Sequence, residues 1–179
     1  AAIWLLHEHA DPEMRERVIP RLLAGDWTST IAISEPQAGS DVGRIRTRAI
    51  RQEDGSYRLT GGKIFISFGD HDLTGQIVHL MLARTQDGPP GARGLSLFVV
   101  PRVDFDSGEM NGISVSRIEH KMGLKASPTC VLDVDNARGY RIGEENQGLK
   151  AMFTMMNVMR LECVSQGVGI GSAAVQKAL

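Results

Sequence analysis

The sequence predicts a mainly β fold: a small barrel or sandwich over residues 30–142, flanked by α-helical segments at 1–29 and 143–179. Hydrophobic periodicity carries this prediction first. It is helical toward both ends and changes in the middle to short alternating or continuous apolar runs. Those runs, roughly seven, are separated by Gly, Pro and Asp turn signals, the pattern of small barrels and sandwiches. Composition agrees: 179 residues, 42% hydrophobic and 23% charged, suffice for a globular domain with a real core.

Ala1 to His9 reads as the tail of a helix, and an opening on Ala1 inside a helix is expected of a fragment or a processed form. His7 and His9 are expected at the surface or in packing rather than as ligands. Asp11-Pro12-Glu13 is a helix start, with a capping carboxylate, proline at the first helical position and an acid in the first turn. Val18, Ile19, Leu22 and Leu23 give an apolar stripe at helical spacing. Pro20 lies within it and is expected to kink the helix or end its first part. Gly25 closes it. Trp27 leads into the first strand and is expected to pack in the core.

In the middle, Arg46–Ile50 and Tyr57–Leu59 flank the turn Glu53-Asp54-Gly55-Ser56 and predict a hairpin. Lys63–Ser67 is a β-type run. Ile77–Ala83 is almost wholly apolar and reads as a central strand. Leu95–Val100 is another, stopped by Pro101. Ile113–Ile118 alternates, as a half-exposed strand does. Cys130–Val134 is the last clear strand, with a short one at Tyr140–Ile142.

Beyond Gly143–Gly148, Leu149, Met152, Phe153, Met156 and Met159 recur at helical steps and read as core or bundle interface. Gly167, Gly169 and Gly171 leave a thin face suited to close packing against another helix.

A net charge of −1 gives no electrostatic case for nucleic acid or an anionic membrane. Cys130 and Cys163 make neither a disulfide framework nor a metal spacing. No apolar run reaches transmembrane length. In Asp70-His71-Asp72, strand alternation would put the acids on one face and the histidine on the other, so a polar loop is expected rather than a metal site.

Chemistry concentrates in two stretches. Ile31-Ala32-Ile33-Ser34-Glu35-Pro36-Gln37-Ala38-Gly39-Ser40-Asp41-Val42-Gly43 begins as an apolar strand, which Pro36 must stop. It becomes a loop whose hydroxyls and glycines suit a polar, phosphate-bearing ligand, although such stretches are often ordinary turns. In Phe65-Ile66-Ser67, alternation places an aromatic ring and a hydroxyl on one face, one able to stack on a ligand and the other to hydrogen-bond it.

The first stretch resembles the "TEPxAGSD" signature of acyl-CoA dehydrogenases, with Ser34 in the threonine position. Gly61–Ser67 resembles that family's "GxKxWIT" strand, with Phe65 for tryptophan and Ser67 for threonine. Lys121–Thr129 resembles its "KMGxxxSxT" segment, whose lysines either meet CoA phosphates or are solvated. The strand Ile64–Ser67 followed by Gly69-Asp70-His71-Asp72 looks most like the bacterial branch with long-chain and 3-methylmercaptopropionyl-CoA dehydrogenase-like members.

The resemblance implies a division into the end of an N-terminal helical domain (1–29), a middle β-domain (30–142) and the start of a C-terminal helical bundle (143–179). It implies FAD as cofactor, an acyl-CoA substrate oxidised to a trans-2-enoyl-CoA, electron-transfer flavoprotein as acceptor, and a homo-oligomeric parent. Location would be the bacterial cytoplasm, or the mitochondrial matrix of a eukaryote. Carried over residue by residue, Ile31, Ile33, Ser34, Phe65 and Ser67 would meet the flavin. Ser40 would sit by the FAD pyrophosphate and the CoA, and Arg160 would serve the substrate side. Glu35 is expected to fix the loop by hydrogen bonds. No catalytic base is expected in this chain: Met159 occupies the position before Arg160 that carries a glutamate in some relatives, and Glu162 lies about 200° around the helix from Arg160. An acyl-CoA oxidase, a nitroalkane-oxidase-like enzyme and a non-catalytic FAD- or partner-binding relative are the alternatives.

Overall fold

The computed structural model describes residues 1–178. Helix α1 (Ala2–His9) leads to α2 (Pro12–Ala24), where Asp11 caps the start by accepting from the Met14 N–H at 2.8 Å. Helix α2 runs through Pro20 and ends at Gly25, whose φ of 80° supplies the left-handed turn. Of the two outcomes expected at Pro20, a kink or an end to the first part, the end does not occur: α2 continues to Ala24, with Val18 and Ile19 packed in the helix-side core.

Seven strands follow: β1 (Trp27–Ala32), β2 (Arg48–Arg51), β3 (Tyr57–Ser67), β4 (Gln76–Thr85), β5 (Leu95–Pro101), β6 (Ile113–Ile118) and β7 (Thr129–Ile142). The hairpin β2–β3 forms as expected. The sheet closes on itself as a barrel through β4, β2, β3, β7 and β5, with β5 pairing back onto β4. Strand β1 extends it on β4, and β6 extends it on β7. The β1–β4 and β2–β4 pairs are parallel and the rest antiparallel. The two stretches expected at 130–134 and 140–142 are one strand, β7. The turn-like Asn136 between them is a bulge with φ 53° rather than a reversal.

Strand β4 is buried on both faces, which accounts for its unbroken apolar run. Met81 and Ala83 face the barrel interior with Leu59, Ile66, Phe98 and Leu132. Val78, Leu80 and Leu82 face a second core built with Leu5 and Leu6 of α1, Val18 of α2 and Met152 of the last helix, α3 (Gly148–Ala178). Gly148 sits directly on the backbone of Ser96 and Leu97, so α3 starts against β5 where no Cβ fits. Ala151, Met152 and Met155 are buried, whereas every described residue from Arg160 to Ala178 is exposed. His9 bonds Thr154 across α1 and α3 at 2.8 Å, a packing role. Trp27 stacks on Phe105, with ring centroids 5.5 Å apart.

Candidate functional site

The end of β1 and the middle of β3 meet at one face. The Ile64 N–H donates to the Ser34 carbonyl at 2.9 Å, so Ser34 lies one residue from Phe65. Ile31 and Ile33 are half-buried beside it, packed toward the helix-side core. Between Lys63 and Ile66, β3 carries one more residue than β7 opposite it, since Lys63 pairs with Leu132 and Ile66 with Cys130. This bulge reverses the alternation. Lys63 is fully buried, Phe65 is 61% exposed, Ile66 is buried and Ser67 is exposed. Phe65 has φ 61°, a conformation costly for a bulky residue and common at ligand-binding segments. Phe65 and Ser67 therefore form an open platform, and the half-buried Ser34, Ile31 and Ile33 lie beside it.

Below it lies a lysine that the sequence reading did not single out. The Lys63 ammonium donates to Glu35 Oε1 at 2.8 Å, to the Leu82 carbonyl at 2.8 Å and to the Ile33 carbonyl at 3.1 Å. Glu35 also accepts from Thr47 Oγ1 at 2.6 Å, from the Thr47 and Arg46 N–H groups at 3.1 and 2.7 Å, and from Gln37 Nε2 at 2.5 Å. Glu35 thus fixes the loop by hydrogen bonds, as expected. Burial alone would raise its carboxyl pKa, but the Lys63 charge and these donors outweigh burial and hold it at about 2. Burial pushes the Lys63 ammonium down to about 8, opposed by Glu35. Both groups are charged at neutral pH. The signal available in the sequence was one acid and one base embedded in the two signature stretches, each among residues of apolar or turn character.

Further along the loop, Glu35 and Ala38 exchange backbone bonds of 3.0 and 2.9 Å, a tight turn that leaves Gly39 and Ser40 exposed. Arg84 of β4 pins the following segment by donating to the carbonyls of Gly43, Ile45 and Gly91. Arg160 is not brought to the platform: its guanidinium bonds Asn157 Oδ1 at 3.2 Å and lies over the Phe153 ring on the outer part of α3. In the segment after β6, Lys121 donates to the Ser127 carbonyl, and Met122 and Leu124 are exposed. Asp70 pairs with Arg102 at 2.7 Å and His71 bonds Thr28 at 3.0 Å; among the described residues no cluster of His, Cys, Asp and Glu could hold a metal. A cleft of about 800 Å³ lies elsewhere, between α1 and the start of α3, lined by Glu8, His9, Arg141 and Lys150.

The platform fits a flavin on the chemistry of its donors. An isoalloxazine needs a flat apolar contact and hydrogen-bond donors at its polar edge, and Phe65 with Ser34 and Ser67 offers both.

The acyl-CoA dehydrogenase middle-domain family matches residues 30–137, more than half of the chain. The chain is 50% identical to the 3-methylmercaptopropionyl-CoA dehydrogenase of Ruegeria pomeroyi over 90% of its own length and 28% of that protein. It is 38% identical to the broad-specificity linear acyl-CoA dehydrogenase FadE5 of Mycobacterium tuberculosis over 100% of this chain and 35% of that one. Among solved structures, Caenorhabditis elegans ACDH-11 in complex with C11-CoA superposes with a TM-score of 0.77 at 33% identity, covering 89% of this chain and 28% of that one. The chain therefore spans about a third of the length of these curated relatives.

Proposed function

Because the chain belongs to the acyl-CoA dehydrogenase family through its middle domain, we propose that it supplies the flavin- and CoA-contacting β-domain of an FAD-dependent acyl-CoA dehydrogenase. The end of an N-terminal helical domain (1–29) and the start of a C-terminal bundle (143–179) flank that β-domain (30–142). The observation that carries this reading is the platform on which the Ile64–Ser34 bond sets Ser34 beside the outward Phe65 and Ser67.

When bound, FAD supplies the acceptor for the hydride lost as an acyl-CoA thioester becomes a trans-2-enoyl-CoA. Phe65 gives the ring a flat apolar contact, and Ile31 and Ile33 line its edge. Ser34 and Ser67 direct hydroxyl donors at the polar rim, where donors stabilise the charge that reduction brings. Ser40, exposed beyond the Glu35–Ala38 turn, serves the phosphates of cofactor and substrate. Arg160 acts on the substrate side of the bundle. The chain contributes no catalytic base. Electron-transfer flavoprotein is the acceptor, the parent is a homo-oligomer, and the compartment is the cytoplasm of a bacterium. No described helix is long and apolar enough to cross a membrane. The 50% identity to the Ruegeria 3-methylmercaptopropionyl-CoA dehydrogenase supports a preference for short, sulfur-containing acyl groups.

Anaerobic titration of the full-length protein with acyl-CoA thioesters tests this. Bleaching of a visible flavin band by 3-methylmercaptopropionyl-CoA or a short linear acyl-CoA is the expected result. A flavin band that no acyl-CoA bleaches contradicts it.

A further inference from the structure

We propose that Lys63 is the positioning residue of the flavin platform, locking the Ile33–Glu35 backbone to β3 and β4 so that Ser34, Phe65 and Ser67 are held as one preorganised face. The inference rests on the flavin reading above for its ligand but not for its geometry.

A lysine ammonium has three N–H donors. Here the three acceptors are the Ile33 carbonyl before Ser34, the Glu35 carboxylate after it, and the Leu82 carbonyl on β4. The three donors are used up, and their acceptors lie on the Ile33–Glu35 stretch and on β4. Ser34 is thus held from both sides by one buried cation, while its own carbonyl takes the Ile64 N–H. On β3, Lys63 is the last residue in regular register before the bulge. Continued alternation would send Phe65 inward with Lys63. The cation, anchored inward, fixes where the irregularity starts, and the added residue then turns Phe65 and Ser67 outward. Thr47 completes the frame: it donates twice to Glu35, and a Cβ on Gly61 would come within 2.5 Å of its Oγ1, so β3 and Thr47 are in direct contact.

Three forms of the full-length protein test this against the native one: Lys63→Met, the charge-balanced double variant Lys63→Met/Glu35→Gln, and Val18→Ala, a core truncation on α2 that removes no hydrogen bond of Lys63 or Glu35. Hydrogen exchange of peptides spanning 31–40 and 60–68 is followed in flavin-stripped protein, and FAD affinity by fluorescence quenching. The expected result is faster exchange in both peptides for the folded Lys63 variants only. FAD affinity should fall about tenfold or more, the size of one lost charge-assisted hydrogen bond, with Val18→Ala at the native value. Should Lys63→Met fail to fold, the double variant reads the same outcome. Exchange unchanged relative to Val18→Ala overturns the proposal, as does native FAD affinity in the double variant. Faster exchange in a protein that takes no flavin even in its native form upholds the positioning role and sinks the flavin reading alone.

Discussion

Lys63 and Glu35 form an ion pair of 2.8 Å inside the protein, with side chains 0% and 3% exposed. It joins the two stretches that carry the family signature. A buried pair of this kind is not in itself a large source of stability, but removing one partner strands a charge.

Lys63→Met should therefore lower the unfolding free energy by about 3–5 kcal/mol. Adding Glu35→Gln should recover part of that loss, because no charge is left buried. Urea denaturation of the two variants checks this. A double variant less stable than Lys63→Met would show that Glu35 is held by its other donors and not by Lys63.

Acid should destabilise the fold in two steps. His79 is wholly buried, bonded through Nδ1 to Thr30 Oγ1 at 2.8 Å. Burial pushes its pKa down to about 4, with Arg102 adding to the effect and Asp70 opposing it. The unfolded chain takes up this proton first, so the stability is complete above about pH 6.5 and is lost as pH falls from there toward 4, roughly 3 kcal/mol in all. Glu35, at about 2 when folded, adds a second loss below about pH 4.5. Stability measured against pH should show the first step removed in His79→Gln and the second retained.

Phe65 trades stability for an outward ring. Phe65→Gly removes the cost of φ 61° and should raise unfolding free energy by about 1 kcal/mol while weakening FAD binding. A thermal melt and a flavin titration on the same preparation read both. Loss of stability would mean the ring is packed rather than presented.

Gly61→Ala should cost about 1–3 kcal/mol, since its Cβ would press on Thr47 Cα at 2.8 Å and disturb the donors to Glu35. Gly55→Ala, with open space at the Cβ but φ 84° in the β2–β3 turn, should cost about 1 kcal/mol through the backbone alone. Equal losses would show that the contact with Thr47 carries no weight.

Much of this architecture was legible in the sequence. The Asp11 cap, the β2–β3 hairpin, the central β4 and the sharing of one face by Phe65 and Ser67 follow from local rules of capping, turn chemistry and periodicity. What local rules missed lies where tertiary contacts override them. Periodicity divides this stretch into strands at 130–134 and 140–142, yet Gly139 stays in one continuous β7, where the Leu59 side chain leaves no room for a Cβ. Pro20 sits inside α2 because packing of the stripe outweighs the lost bond. Strict alternation would put Lys63 and Phe65 on one face; a single bulge separates them. The importance of Lys63 emerges only once Ile33, Glu35 and Leu82 are brought around it. Arg160 was matched to the substrate side by family resemblance, and within the described residues it stands apart from the platform on α3.

The most direct test of the account is the visible spectrum of the purified full-length protein, with bound flavin released and identified, beside the Phe65→Ala and Ser34→Ala variants. The account predicts FAD in the native protein and weaker retention in both variants. A native protein that carries no flavin, and gains none when FAD is added, would contradict it.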